Sequence, residues 1–287
     1  MIHGISNDFL YTAKKVIATW QKDEKNIVYS QGTGFFIQMP NSELVFVTNR
    51  HVVEPGYNGS QYNDYKLVGL NIESFKSFDE NGQPININAA AVVKMQIGYD
   101  ENQFNDIACL RNIHVAGTLE INVPVSYDSL ATNEWINSKL SVCDTIAYPG
   151  FPAWHDHRNK TPIIRMGTIA SDPRLDYCFQ ENDPIAARIA YEGFSSGGAS
   201  GSPVFAIQKG FPVSGALVTP EGFFREVKLI GINAGHFSSD EGHSGISYFY
   251  KSHVIRSIID RLCVDHSPTS DKASDNTGER CADSEPT

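Results

Sequence analysis

Short apolar runs separated by turn-forming residues are the feature that most restricts how this chain can fold. The runs are rich in β-branched and aromatic side chains and are bounded by Gly, Asn, Asp and Pro. Many short strands at fairly even spacing favour an all-β sandwich or barrel over alternating βα units. The runs include Gly34–Ile37, Leu44–Thr48, Ala91–Ile97, Ile107–Leu110, Leu140–Cys143, Ile163–Ile169, Pro203–Ile207, Val213–Val218 and Leu229–Ile232.

The C-terminal part of the chain departs from the strand pattern. After Ser252, which can cap a helix, apolar residues recur with helical spacing, and we predict a surface helix that packs on the barrel. Residues 264–287 contain no Leu, Ile, Met or aromatic residue and carry six acidic and two basic side chains. Because such a segment cannot bury enough apolar surface to order itself, we predict a disordered acidic tail, with a partner-binding tail as the alternative.

Charge and cysteine content exclude several classes of protein. A net charge of −10 argues against a protein that binds nucleic acid or anionic membranes. No apolar run approaches the roughly 20 residues of a membrane helix, and no secretory signal is visible. The five cysteines are odd in number and include no C-x-x-C pair, so we expect reduced thiols, no zinc site and a cytoplasmic location.

Residues 198–205 read G-A-S-G-S-P-V-F and place a serine between two glycines, directly before an apolar strand. Glycines let the backbone approach a substrate closely. The N–H groups of Gly198 and Ser200 can then point together and stabilise an oxyanion. By itself, the motif is equally consistent with a Gly/Ser-rich hairpin loop.

Two further motifs supply the groups that a serine nucleophile needs. His51 follows an apolar strand in the string T-N-R-H-V-V, and Asp106 precedes another in N-D-I-A-C-L. An acid in this position can hold the imidazole by its Nδ1–H. The chain order His51, Asp106, Ser200 is one of three known orders for a catalytic triad and belongs to the double-barrel fold.

These strings resemble those of trypsin-like (chymotrypsin-fold) serine proteases, in particular the bacterial glutamyl-endopeptidase and HtrA-type branches. The resemblance covers roughly residues 10–262 and implies two six-stranded antiparallel β-barrels with a C-terminal helix. We expect the first barrel, with an N-terminal extension, in residues 1–130, and the second barrel with the helix in residues 131–263. By this resemblance Ser200 is the nucleophile, His51 the general base and acid, and Asp106 the residue that orients the imidazole.

One position departs from the digestive branch of that family. Residue 199 is Ala, where that branch has an Asp that pairs with a freshly cut N-terminus, and no corresponding cleavage site is present. We therefore predict that this chain needs no N-terminal cleavage for activity. Control would come from another source, such as a loop that orders on binding.

The resemblance also indicates a substrate pocket, lined by Phe194, Asn233, Ala234, Gly235 and His236. Asn233 stands where glutamyl endopeptidases have a His, which weakens a prediction of glutamate specificity. The string His155-Asp156-His157 is an H-x-H pattern, but its polar surroundings favour a loop over a metal site, and we predict no metal or other cofactor.

An active serine endopeptidase is the leading functional hypothesis. An esterase or other acyl hydrolase with the same triad is the first alternative, and a catalytically silent pseudoprotease that acts as a binding module is the second. The expected partners are a protein or peptide substrate and a regulatory protein.

Overall fold

The computed structural model describes residues 5–210, 224–239 and 242–264. The predicted strand at 213–218 and the predicted tail beyond residue 264 lie outside these ranges. Within them, no helix is long and apolar enough to cross a membrane.

The first half of the chain forms a closed barrel. Its strands are β1 (Ala13–Gln21), β2 (Ile27–Gln38), β3 (Leu44–Thr48), β4 (Lys66–Ser74), β5 (Ser77–Phe78), β6 (Pro84–Ile85), β7 (Asn88–Tyr99), β8 (Ala108–Ala116) and β9 (Val125–Ser126). Six of them pair antiparallel in the closed order β1-β2-β3-β8-β7-β4, and β9 pairs parallel with β2. The β5–β6 pair forms a separate small hairpin.

The second half forms another closed barrel. Its strands are β10 (Thr145–Gly150), β11 (Ile163–Ile169), β12 (Arg188–Glu192), β13 (Pro203–Ala206), β14 (Lys228–Ser239) and β15 (Gly242–Lys251). They pair antiparallel in the closed order β10-β11-β12-β15-β14-β13. The prediction of an all-β fold with two six-stranded barrels is confirmed.

Short helices connect and flank the barrels. They are α1 (Asn7–Leu10), α2 (Arg50–Val53), α3 (Asn133–Lys139) and α4 (Ser252–Val264), together with 3₁₀ turns at Tyr57–Gly59 and Tyr127–Ser129. The predicted division between residues 130 and 131 falls in the connection between β9 and α3.

Three apolar clusters hold this architecture together. One fills each barrel, and the third lies between the barrels, where Phe35 and Val47 of the first meet Phe205 and Ile232 of the second. Because the residues of the third cluster are close-packed and come from both barrels, this cluster fixes the position of one barrel against the other.

Helix α4 is the predicted C-terminal helix, and it contacts both barrels. Ser252 is its first residue and donates its hydroxyl to the Ala131 carbonyl at 2.7 Å. At the other end, Leu262 packs so closely on β7 that a Cβ at Gly98 would lie 2.8 Å from it. The Arg111 guanidinium of β8 donates to the Leu262 carbonyl at 2.6 Å. The helix thus fastens the two barrels to each other.

The strand predicted at Leu140–Cys143 is wrong. Helix α3 ends at Lys139, and the next residues form a turn in which Asp144 accepts the Ser141 N–H at 2.8 Å. The Asp144 carboxylate also accepts from the buried Arg225 guanidinium at 2.5 Å. This buried charge pair fixes the turn. The local sequence does not reveal it, because Arg225 is far from Asp144 in the chain.

The described part of the chain contains four free cysteines, Cys109, Cys143, Cys178 and Cys263. This agrees with the expectation of reduced thiols.

The contact of α4 with β7 predicts a large stability loss on truncation of Leu262. Leu262→Ala removes a side chain that is 7% exposed, and we expect it to lower the free energy of unfolding by about 2–4 kcal/mol. The matched control is Leu175→Ala, because Leu175 is 65% exposed and should change the free energy by less than about 0.5 kcal/mol. Urea unfolding of both variants measures the difference, and equal losses would contradict a clamp formed by α4.

Candidate active site

His51 is placed by a short helix at the mouth of the first barrel. Strand β3 ends at Thr48, and helix α2 begins two residues later. Val52 and Val53 of this helix are buried in the first-barrel core, which anchors the turn. The His51 side chain remains 38% exposed, so the imidazole faces the cleft.

Asp106 precedes β8 and holds His51 at two points. One carboxylate oxygen accepts the His51 backbone N–H at 2.8 Å, and the other lies 2.5 Å from Nδ1. The Asp106 backbone is itself held by the Asn49 side-chain amide, which donates to the Asp106 carbonyl at 2.6 Å. Because Nδ1 carries the proton toward the carboxylate, Nε2 keeps its lone pair for accepting a proton.

This pairing determines the protonation of His51. The loss of water around the partly buried ring disfavours the imidazolium, but the Asp106 charge and hydrogen bond outweigh this loss and raise the pKa of His51 above its ordinary value of 6.5. The pair therefore makes His51 a stronger base than an isolated imidazole.

The loop around Ser200 makes a sharp turn just before β13. Gly198 has a φ of +89° and Gly201 a φ of +90°, both in the region that favours glycine. A Cβ at Gly201 would overlap the carbonyl oxygen of Thr33 in the first barrel. Glycine is therefore required at residue 201 both for its backbone conformation and for the close approach of the two barrels.

Thr33 joins the serine loop to the first barrel. Its N–H donates to the Ser200 carbonyl at 2.8 Å, and its hydroxyl donates to the Gly198 carbonyl at 2.7 Å. The Thr48 hydroxyl in turn donates to the Thr33 carbonyl at 2.8 Å. Since Thr48 lies three residues before His51, these bonds hold the serine loop beside the helix that carries the imidazole.

The contacts of Gly32 show how near these two elements lie. A Cβ at Gly32 would lie 2.9 Å from the Val52 side chain and 3.3 Å from the Ser200 carbonyl oxygen. The Ser200 backbone therefore lies near helix α2, which carries His51.

Two backbone N–H groups of the serine loop, those of Gly198 and Ser200, have no acceptor among the described residues. The Gly197 carbonyl accepts from the Ala153 N–H at 3.1 Å, and the Ala199 carbonyl accepts from the Ser202 N–H at 3.1 Å. A trans peptide points its N–H opposite to its carbonyl, so the N–H groups of Gly198 and Ser200 are turned the other way. Neither N–H donates to another atom of the described residues, which leaves both available to an oxyanion.

The Ser200 hydroxyl donates to the Ala234 carbonyl at 3.0 Å. Within the described residues it makes no hydrogen bond to His51.

The residues predicted to line a substrate pocket differ in exposure. Phe194 is 57% exposed and His236 is also exposed. Ala234 is buried, and its carbonyl accepts the hydrogen bond of the Ser200 hydroxyl. Gly235 is half-buried, and a Cβ there would lie 2.9 Å from the Tyr248 hydroxyl. The prediction for Asn233 needs correction, because its side chain is fully buried and its amide is engaged within the protein.

The H-x-H string forms a turn beside the serine loop. Nδ1 of His155 donates to the Pro152 carbonyl at 2.7 Å, and Nε2 of His157 donates to the Ala153 carbonyl at 2.8 Å. Among the residues that the structure describes, no group of three or more His, Cys, Asp and Glu side chains is arranged to hold a metal ion.

Sequence reasoning missed the residues that hold the site together. Thr33, Thr48 and Asn49 are fully buried polar residues. Thr33 bonds to the Gly198 carbonyl and Asn49 to the Asp106 carbonyl, both far away in the chain, and Thr48 bonds to the Thr33 carbonyl. Their only local signal is polarity inside or beside strongly apolar strands, since a buried hydroxyl or amide needs a partner.

Two six-stranded antiparallel β-barrels, with a His–Asp pair on the first and a serine between positive-φ glycines on the second, are the arrangement of the chymotrypsin fold. The family model of the trypsin-like peptidase domain matches residues 32–213, and the chain belongs to this family. No curated protein matches the chain.

Solved structures agree with this assignment at the level of the fold. The HtrA-type protease AlgW with a tripeptide aligns over 90% of this chain and 64% of its own, with 17% identity and a TM-score of 0.50. The thermostable serine protease AL20 from an extremophilic microorganism aligns over 90% of this chain and 99% of its own, with 11% identity and a TM-score of 0.51. The chain thus spans just under two thirds of the length of AlgW.

The raised pKa of His51 predicts the acid side of the pH profile. Only the neutral imidazole can accept the serine proton, so activity should fall as the pH drops through the pKa of His51. We expect the midpoint of the acid limb of kcat/KM to lie above pH 6.5. Asp106→Asn should shift this midpoint downward and lower kcat by about 10³–10⁴-fold. An unshifted midpoint in the variant would contradict the proposed coupling.

The junction at Thr33 predicts a strong effect of one added methyl group. Gly201→Ala forces a Cβ against the Thr33 carbonyl, and we expect activity to fall by at least about 10²-fold because the serine loop is displaced. Gly117→Ala is the matched control, since Gly117 has a φ of +89° but open space around its Cβ position. Both variants carry the same backbone strain, so equal activity of the two would refute the close approach at residue 201.

Proposed function

We propose that this chain is a serine endopeptidase that hydrolyses peptide bonds through the triad of His51, Asp106 and Ser200. The observation that most supports the proposal is the bond of the His51 imidazole to Asp106, together with the bonds from Thr33 to the loop that carries Ser200. AlgW, one of the proteins with this fold, holds a tripeptide, which supports a peptide as the substrate class.

In the acylation step the Ser200 oxygen attacks the carbonyl carbon of the substrate, and its proton moves to Nε2 of His51. The negative charge that develops on the substrate oxygen is stabilised by the N–H groups of Gly198 and Ser200. Asp106 stabilises the imidazolium. Breakage of the C–N bond transfers the proton to the leaving amine and leaves an ester on Ser200.

In the deacylation step a water molecule attacks the ester carbon while its proton moves to Nε2 of His51. The proton is then returned to the Ser200 oxygen as the C–O bond breaks. The acid product leaves, and the triad is restored. Control by a regulatory protein partner stays a prediction.

Labelling with a fluorophosphonate probe tests this proposal. We expect the intact chain, with Met1 retained, to be labelled on one serine and to hydrolyse unfolded protein, because no N-terminal cleavage is needed. Ser200→Ala should abolish both activities, whereas Ser138→Ala, on the exposed face of α3, should retain both.

The result separates the alternatives. Labelling with hydrolysis of esters but not of peptides would indicate an acyl hydrolase. A well-folded chain without labelling before or after N-terminal cleavage would indicate a binding protein. Identification of new protein N-termini produced by the active chain, and absent with Ser200→Ala, defines the substrate.

A further inference from the structure

Asn233 lies directly behind the nucleophile and uses its whole amide group within the protein. Its Nδ2 donates one proton to the Ser195 hydroxyl at 2.8 Å and the other to the Ala199 carbonyl at 2.9 Å. Its Oδ1 accepts the Tyr191 hydroxyl proton at 2.7 Å. The side chain is fully buried, so these three bonds are shielded from water.

The backbone of Asn233 binds the other side of the same loop. Its N–H donates to the Ser202 carbonyl at 2.8 Å, and its carbonyl accepts the Gly201 N–H at 2.8 Å. One residue therefore contacts the chain on both sides of Ser200.

The bond to Ala199 bears directly on the chemistry at Ser200. The Ala199 carbonyl and the Ser200 N–H belong to one planar trans peptide and point in opposite directions. A donor that holds the carbonyl toward the interior of the second barrel consequently holds the N–H toward the cleft. The second donor to that carbonyl, the Ser202 N–H, lies farther away at 3.1 Å.

The bond from Asn233 to the Ser195 hydroxyl fixes an earlier part of the same loop. The Ser195 N–H donates to the Ser247 hydroxyl at 3.0 Å, and that hydroxyl donates to the Gly193 carbonyl at 2.8 Å. Ala199 itself is apolar and cannot form an ion pair. In this chain the serine loop is held by neutral hydrogen bonds from Asn233. An acidic side chain at residue 199 could hold the same loop through an ion pair, but Ala199 cannot.

We propose that Asn233 is a positioning residue, which orients the Ala199–Ser200 peptide so that the Ser200 N–H is ready to stabilise the oxyanion. This inference rests on the proposed function. It assigns Asn233 a role in the rate of acylation rather than in direct contact with the substrate.

Asn233→Asp is the sharpest variant. It keeps the size of the side chain and an acceptor for Tyr191, but it replaces both N–H donors by an oxygen that repels the Ala199 carbonyl. Tyr191→Phe is the matched control, because it removes a bond to Oδ1 and leaves both donors in place. Asn233→Ser, whose short side chain cannot span the distance to Ala199, is the second variant where Asn233→Asp does not fold.

Burst kinetics with p-nitrophenyl acetate measure the effect. Loss of an oxyanion donor costs about 10²–10³-fold in rate, and the Ser202 N–H still holds the Ala199 carbonyl, so we expect acylation to slow by about 10–10²-fold. The apparent binding constant of the ester should change by less than about 3-fold, because the contact acts on the transition state. Tyr191→Phe should acylate within about 3-fold of the unaltered chain. An Asn233 variant that acylates at the unaltered rate, or that loses only ester binding, would overturn the inference.

Crystal structures of the unaltered chain and the variant give a readout that does not depend on activity. We expect part of the variant molecules to have the Ala199–Ser200 peptide rotated, with the Ser200 N–H turned out of the cleft, while the Ser202 N–H keeps the peptide in its original orientation in the rest. A peptide that is unrotated in every variant molecule would overturn the inference even where the chain hydrolyses peptides normally. If the unaltered chain neither acylates nor binds the probe, the proposed function fails, and the rotation of the peptide alone then decides the role of Asn233.

Discussion

The active site depends on the contact of Thr33 with the serine loop. His51 and Asp106 belong to the first barrel and Ser200 to the second, so the proposed triad requires that the two barrels keep their positions relative to each other. Thr33 fixes the two barrels relative to each other, because its N–H donates to the Ser200 carbonyl and its hydroxyl donates to the Gly198 carbonyl. The same hydroxyl accepts the Phe151 N–H at 2.9 Å, which adds the end of β10 to the junction. Two further features stabilise this arrangement: the apolar cluster that lies between the barrels, and helix α4, which packs against that cluster.

The serine loop reaches its conformation without a charged anchor at residue 199. Ala199 is buried, and the loop is held by Asn233, Thr33 and the Ala153 N–H. Neutral hydrogen bonds of this kind change little over the pH range in which carboxylates and imidazoles titrate. The pH dependence of the site therefore reduces to the His51–Asp106 pair, because Nε2 of His51 has to be unprotonated to accept the Ser200 proton.

Much of the fold and the site could be predicted from the sequence because the signals are local. Short runs rich in β-branched residues predict the strands, and His51, Asp106 and Ser200 each lie in a distinctive sequence motif beside a strand. Thr33 and Asn233 could not be interpreted in this way, because their roles come from partners on other strands that only the closed barrels bring near. A distant partner also explains the wrong strand prediction at Leu140–Cys143. These residues form a turn because Asp144 accepts the Ser141 N–H and pairs with the buried Arg225, which is far away in the chain.

The central claim is that a substrate carbonyl is attacked by Ser200 while its oxygen is held by the N–H groups of Gly198 and Ser200. The most direct measurement is a crystal structure of the chain after reaction with a peptidyl phosphonate. We predict a covalent bond from the Ser200 Oγ to phosphorus, with the phosphonyl oxygen about 2.7–3.1 Å from the backbone nitrogens of Gly198 and Ser200. An adduct on another residue, or a phosphonyl oxygen turned away from both nitrogens, would contradict the account.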